Sequence, residues 1–487
     1  MYTIRQEELF SFEQLMNMHT EDRYCHIFEH LDLGPIVRKL GKKTRRGRPE
    51  ELNVRAMIYS LLIGKMERMV FVKDVIRRLK DSEEFRIQCR FTGADRTPSE
   101  SSYTRLNQAL FRLDVIETVQ DDLVLSAISE GFLLGNHLAI DSSAVEAWDC
   151  RYEGQAAKRA AHRRKGKPLP TPVEQLQMEF NENSEIEQEA TAEAEVKPKR
   201  GKGRPSREES EQIRKEREAR EALLGPFEKD KIADMTPFSY RELVEALPRH
   251  ASLCSKKNSK GKVESWYGYK ANVVVDTDSQ YIVTGVLSSA HPNDQRMAVL
   301  LLKGLKEKFP KLNVKHVMAD KGYDCATIYQ LVRSLKAYPV IDIIRHTKPP
   351  QGFDEDFNPI CQQGHAYRYD SFDSKYNTLK FTRPKECKDC PLADSGCRQV
   401  RKIKINRDLR KFTYPARGSK RFEELYNKRT AVERVFAYLK EYFGLKRTRH
   451  RGPLATVDFQ LSLLAYNLCK FAVDKINRQM VQATKTA

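Results

Sequence analysis

The chain has 487 residues, 40% of them hydrophobic, which is enough apolar mass for a sizeable core and a soft prior of roughly two to four domains. Its formal net charge is +19; between Arg398 and Arg451, 18 Lys and Arg stand against 5 Asp and Glu, so two thirds of the excess falls in one segment. That concentration fits a polyanionic partner. The absence of an 18-residue apolar run and of a signal-peptide core at the N-terminus favours cytoplasmic DNA or RNA over a membrane surface.

In chain order, residues 1–135 read as mostly helical. Ser11 is placed to cap a helix through Phe12, Leu15 and Met16. Thr44-Arg-Arg-Gly-Arg-Pro49 precedes a strongly apolar helix through Val54, Met57, Ile58, Leu61 and Leu62. Arg46 and Arg48 flank Gly47 as in a minor-groove AT-hook core, where arginines enter a narrow groove. The same stretch also reads as a basic loop whose Pro49 opens the next helix. Thr97-Pro-Ser-Glu100 reads as a capping box with Pro at the first helical position. The helix after it carries Tyr103, Arg105, Asn107 and Arg112, a pattern open to a helix-turn-helix reader of DNA ends or to a purely structural bundle.

His137-Leu-Ala-Ile-Asp141 is a short apolar strand ending on a carboxylate, a rigid mounting for a catalytic group or equally a capped Asp at a turn. Between residues 151 and 262 an acidic tract runs into a basic one with few core positions, which predicts a charged, partly disordered insertion. Tyr267 to Asp276 and Tyr281 to Leu287 predict a hairpin turned at Thr277-Asp-Ser-Gln280. After His291-Pro-Asn-Asp294 comes an amphipathic helix, then a second apolar strand, Val314 to Asp320, again ending on a carboxylate. A helix over Ala326–Leu335 and a strand over Tyr338–Ile344 complete a mixed α/β sheet.

Residues 348–425 predict a second insertion, with Cys361-x3-His365 and Cys387-x2-Cys390-x6-Cys397. In a cytoplasmic protein such clustering suits tetrahedral Zn²⁺ before disulfides. The four cysteines are the first choice of ligands, with His365 behind them or replacing one; a reduced loop without metal is the plain alternative.

Leu425 to Arg451 predicts one helix, on which Tyr426, Arg429, Glu433 and Lys440 fall within about a 60° arc at about 100° per residue. Leu425, Val432, Val435, Phe436, Leu439 and Phe443 form the adjoining core face. A carboxylate flanked by cations suits a place where Mg²⁺ and phosphate oxygens meet, although charged i,i+4 pairs also line ordinary solvated helices. An apolar helix from Leu454 to Val473 closes the domain.

Asp141, Asp320 and Glu433 thus stand out. If the two strands are neighbours, the carboxylates can converge on two divalent ions about 4 Å apart for in-line attack on phosphate. The pattern resembles the DDE transposases of bacterial insertion sequences. Tyr426-x2-Arg429-x3-Glu433-x6-Lys440 matches the Y-R-E-K signature of one large group of them. Ile140-Asp141-Ser142-Ser143 and Ala319-Asp320-Lys-Gly-Tyr323 look like their first and second aspartate motifs, and Gly-Arg-Pro before an apolar helix is similar to their N-terminal region. The cysteine-bearing insert occurs in some members.

The resemblance implies an α/β, RNase H-like mixed sheet flanked by helices, with a helical N-terminal DNA-binding domain and two insertions. On it, residues 1–135 form that domain, 136–150, 263–347 and 426–475 the catalytic core, 151–262 and 348–425 the insertions, and 476–487 a tail. It implies Asp141, Asp320 and Glu433 as Mg²⁺ (or Mn²⁺) ligands, and Tyr426, Arg429 and Lys440 as contacts to the element's ends. Lys321, Lys270, Arg46 and Arg48 are further expected DNA contacts. The expected partners are the terminal inverted repeats, target DNA and a second copy of the chain, with no membrane and a bacterial cytoplasmic, nucleoid-associated location. Two other classes stay open: a Mg²⁺-dependent nuclease of the same fold, and a non-catalytic DNA-binding descendant.

Overall fold

A computed structural model describes residues 10–40, 52–69, 71–148, 211, 214–215, 224–257, 261–345, 349–388, 390–391 and 397–486. Arg46 and Arg48, and nearly all of the expected insertion up to residue 223, lie outside the described residues. The chain forms two units, Met1–Trp148 with Gly225–Ala487, and Asp149–Leu224; every element named below belongs to the first.

Val273, Val274 and Val275 are fully buried, as are Ile282 and Val283, so these β-branched runs become inner strands of a sheet covered on both faces. The strands are β1 (His137–Glu146), β2 (Ser252–Lys257), β3 (Val263–Asp276), β4 (Ile282–Ser289), β5 (His316–Ala319) and β6 (Tyr338–Ile341). β3 pairs antiparallel with β1 on one side, Asp141 opposite Val273. Its other side takes β2 along its first half and β4 along its second, both antiparallel. β1 then pairs parallel with β5, and β5 with β6. Four antiparallel strands followed by two parallel ones, with helices on both sides, give the RNase H-like sheet. Gly268 is where β3 meets the end of β1: a Cβ there would sit 2.1 Å from the Val145 carbonyl oxygen, so only glycine lets the strands approach.

Several boundaries differ from the sequence expectation. β1 does not end at Asp141 but runs on to Glu146, because the backbone of Ser142, Ser143 and Ala144 keeps pairing with β3. Helix Tyr240–Glu245 and strand β2, both inside the expected insertion, already pack with the core. The closing helix is longer than expected, Ala455–Thr486, and absorbs the presumed tail. At Thr97–Glu100 the cap is Ser99, whose hydroxyl accepts the Ser102 N–H at 3.2 Å, with Pro98 outside the helix Glu100–Leu113.

The N-terminal helices are not a separate body. Ser11 and Gln14 form a capping box at helix Phe12–Asn17, and Phe12 packs against the rings of Tyr438, Tyr442, Phe443 and Tyr466. Lys65, on helix Val54–Met66, is 2% exposed and lies 3.5 Å from the buried carboxylate of Asp458 in the C-terminal helix. Tyr103 is fully buried against Ser60, and Asn107 is buried against His450, so the helix expected to read DNA spends these side chains in the core.

Residues 349–425 carry a second sheet, β7 (Arg368–Asp373), β8 (Thr378–Thr382) and β9 (Val400–Lys404), all antiparallel, with its own core around Tyr367, Phe381 and Phe412. Two arginines fasten this module to the main sheet. Arg410 donates twice to the buried Asp324 carboxylate, at 2.9 and 2.6 Å. Arg417 donates to the Ile341 carbonyl at 2.7 Å and to the Tyr329 hydroxyl at 2.9 Å. Stacked Phe372 and Tyr414 meet Tyr338 and His316 at the same joint.

Candidate active site

The parallel pairing of β1 and β5 brings the two aspartates to one place. Asp141 projects from the middle of β1, and Asp320 follows the last residue of β5. Asp320 caps the turn Lys321–Tyr323 by accepting the Gly322 N–H at 2.8 Å, which fixes its carboxylate at the strand end. Burial, together with the negative charges of Asp320 and Asp294, pushes the Asp141 carboxyl up to about 6, against the pull of the Ser142 N–H and Arg429. Like charges held this close mark a site that gains from a cation.

The predicted single helix over residues 425–451 is broken. It is two helices, Lys420–Asn427 and Thr430–Tyr442, with i→i+3 bonds at Lys428 and Arg429 tightening the chain between them. The polar stripe is therefore not continuous, and Tyr426 and Arg429 flank the break. Arg429 nonetheless reaches back, donating to Glu433 at 2.8 Å and standing 3.9 Å from Asp141. Its guanidinium carbon lies 5.7 Å from the Tyr426 ring centre, and its Nε is buried without a partner. Burial raises the Tyr426 hydroxyl, and the nearby charges of Asp342 and Asp320 raise it further. Arg429 is thus the bridge joining the glutamate helix to the aspartate strands.

Three residues at this site were not singled out from the sequence. Asp294, at the start of helix Asp294–Lys308, accepts from Ser142 at 2.9 Å and from the Lys270 ammonium at 3.1 Å. Asp342 lies just past β6, near Tyr426. Tyr323 is buried, and the charges of Asp294, Asp141 and Asp320 add to burial in raising its hydroxyl well above the usual range. A carboxylate immediately after an apolar strand was the available signal for Asp342; nothing local distinguishes Asp294. Lys270, expected at phosphate, is held instead by Asp294 and the Pro292 carbonyl. Lys321 is exposed at the site's edge, and Lys440 is half-buried ten residues beyond the break, lowered by burial and by Lys446.

Among the described residues, no group of three or more His, Cys, Asp or Glu side chains stands ready to hold a metal ion. The donor chemistry at Asp141 and Asp320 still suits a hard divalent cation, since a half-buried carboxylate beside a second one gains from a positive charge; Glu433 is turned to Arg429. In the second module the His365 N–H points to the Cys361 sulfur at 3.3 Å, and His365 Nδ1 lies 3.8 Å from Cys387. Burial raises the Cys387 thiol, with Cys361, Cys390 and Cys397 adding to it, so the four thiols share one neighbourhood. All four are free of disulfides. No described helix is long and apolar enough to cross a membrane.

Residues 232–468 match a family model described as Transposase DDE domain, and residues 11–109 match one described as Transposase domain (DUF772). The first match begins upstream of helix Tyr240–Glu245 and ends in the closing helix. No curated protein matches the chain.

Proposed function

Because the chain belongs to the DDE transposases of insertion sequences, we propose that it cuts DNA at the ends of its own element and joins the freed 3′-hydroxyls to target DNA. Asp141, Asp320 and Glu433 are its acidic triad in this reading. The observation that carries it is the convergence of Asp141 and Asp320 on neighbouring parallel strands, with Arg429 spanning from Asp141 to Glu433.

Asp141 and Asp320 would hold Mg²⁺ or Mn²⁺, with Glu433 joining them. The bound metal would activate the attacking water or 3′-hydroxyl and offset charge on the leaving oxygen. The chain's own residues do the rest. Arg429 has a fork that matches a phosphate as well as a carboxylate. When a backbone phosphate takes the guanidinium, Glu433 and Asp141 lose their cation together and are released to the site. Arg429 therefore couples DNA arrival to assembly of the triad. Tyr426 positions the guanidinium beneath its ring, and Lys321 and Lys440 hold the flanking phosphates. Asp294, fixed by Lys270, orients Ser142 and with it the strand that bears Asp141. No high-energy cofactor is required, because transesterification conserves the phosphodiester bond. Joining two ends in one event favours a homodimer. A structural Zn²⁺ among Cys361, Cys387, Cys390 and Cys397, with His365 beside them, would brace the second module.

The test is Mg²⁺-dependent cleavage of a plasmid carrying the gene with its own flanking DNA, wild type beside Glu433→Gln. Cuts at the flanks that vanish in the variant support the reading. Nicks scattered over the plasmid that vanish in the variant point to a plain nuclease. No cutting by either protein, with DNA still bound, points to a binding descendant.

A further inference from the structure

The module at residues 349–425 contains a concave site that the triad does not use. It is a cavity of about 440 Å³ lined by Arg398, Arg401, Lys402 and Arg407, beside the cysteines Cys361, Cys390 and Cys397 of the candidate zinc site. Among the described residues no carboxylate lines it and none of the four cations makes an ion pair. The sequence explains the imbalance: residues 398–407 hold five Lys and Arg and no Asp or Glu. Four like charges around one cavity repel each other unless an anion sits between them.

Two of the cations are also held in place. The Arg401 guanidinium lies over the Tyr367 ring at 4.9 Å, and that tyrosine is fixed by its bond to the Arg398 carbonyl at 2.7 Å. The Arg407 guanidinium lies over Phe353 at 5.9 Å. Stacking orders a guanidinium while leaving its N–H edge free to donate, which is the state that suits phosphate oxygens. Arg410 and Arg417 meanwhile fasten the module to the strands that carry Asp320 and Asp342. These contacts join the module that holds the cavity to the sheet that holds the triad's aspartates.

We propose that this cavity is a second DNA-backbone site, taking phosphate groups of the duplex away from the scissile bond and independently of base sequence. The proposal rests on the DNA-joining function argued above and extends it to the cysteine-bearing module. Free phosphate shares the same chemistry, so the test separates the two sources.

The experiment measures binding of the full chain to a duplex of arbitrary sequence over a series of KCl concentrations. The proteins are wild type, Lys402→Gln/Arg407→Gln, and the charge-keeping Lys402→Arg/Arg407→Lys. Each lost phosphate contact lowers the salt slope by about 0.9, so the neutral pair should lower it by about 1.8 and the charge-keeping pair should restore it. An unchanged slope in the neutral pair overturns the proposal. So does an equal slope accompanied by thermal stabilisation by inorganic phosphate, at matched ionic strength, that the neutral pair loses; that result assigns the cavity to the free anion. Asp320→Asn is run alongside. It should lose cleavage and keep the wild-type slope, so a failure of the catalytic reading shows in that variant and a failure of the cavity in the other.

Discussion

His316 offers a test of how the second module is joined to the core. It opens β5, the strand that leads to Asp320, and is 7% exposed. Its Nδ1 meets that of His137 at 3.2 Å, and its ring neighbours Tyr338 and Tyr414. Burial lowers its pKa from 6.5 to about 4, and the charges of His137, Arg421, Lys315 and Lys428 act in the same direction. Between those values the unfolded chain binds a proton that the folded chain refuses, so stability rises with pH across this window and falls on acidification. At about 1.4 kcal/mol per pH unit the loss amounts to about 3 kcal/mol for this side chain. His316→Phe keeps an aromatic ring among aromatic neighbours and removes the titration. Urea unfolding of both proteins should give curves that separate as pH falls from 6.5 to 4, with wild type losing about 3 kcal/mol more. Acid-titrating groups away from His316 and His137 are common to both and cancel in the difference. Parallel pH curves would refute the reasoning.

Three other outcomes are expected. Asp458→Asn leaves Lys65 buried without its counter-charge between the N-terminal and C-terminal helices, so stability to urea should fall by about 3–5 kcal/mol; adding Lys65→Met should recover part of it. A change under about 1 kcal/mol in the single variant would contradict the burial of that pair. Arg429→Ala should lower the salt slope of end binding by about 0.9 and suppress cleavage, with Arg429→Lys restoring the slope but not the rate, since a lysine lacks the planar fork that matches a phosphate. Metal analysis of the purified chain should find about one zinc per molecule, released by Cys387→Ser/Cys390→Ser; a wild type without zinc would remove that site.

Much of the main sheet is legible because its signals are local. Apolar runs ending on Asp, and the turn between Val275 and Ile282, follow from short-range chemistry. The misplacements have a common cause in partners distant along the chain. Nothing near Ser142 says that its backbone would keep pairing with β3 some 130 residues later, so β1 was cut at Asp141. The break at Lys428–Arg429 carries neither Gly nor Pro, and helix periodicity ran through it. Tyr103 and Asn107 looked like a polar reading face because their partners, Ser60 and His450, lie 43 and 343 residues away. Asp294 was invisible for the same reason: Ser142, its partner, is 152 residues upstream.

The most direct test of transposition is strand joining itself. A duplex with the element's own end sequence and a pre-exposed 3′-hydroxyl is incubated with Mg²⁺, a target plasmid and the protein. Wild type should link the labelled end covalently to the plasmid, and Asp141→Asn should bind the duplex without linking it. Hydrolysis of DNA with no joined product in wild type would contradict the transposase reading and leave a nuclease on the same sheet.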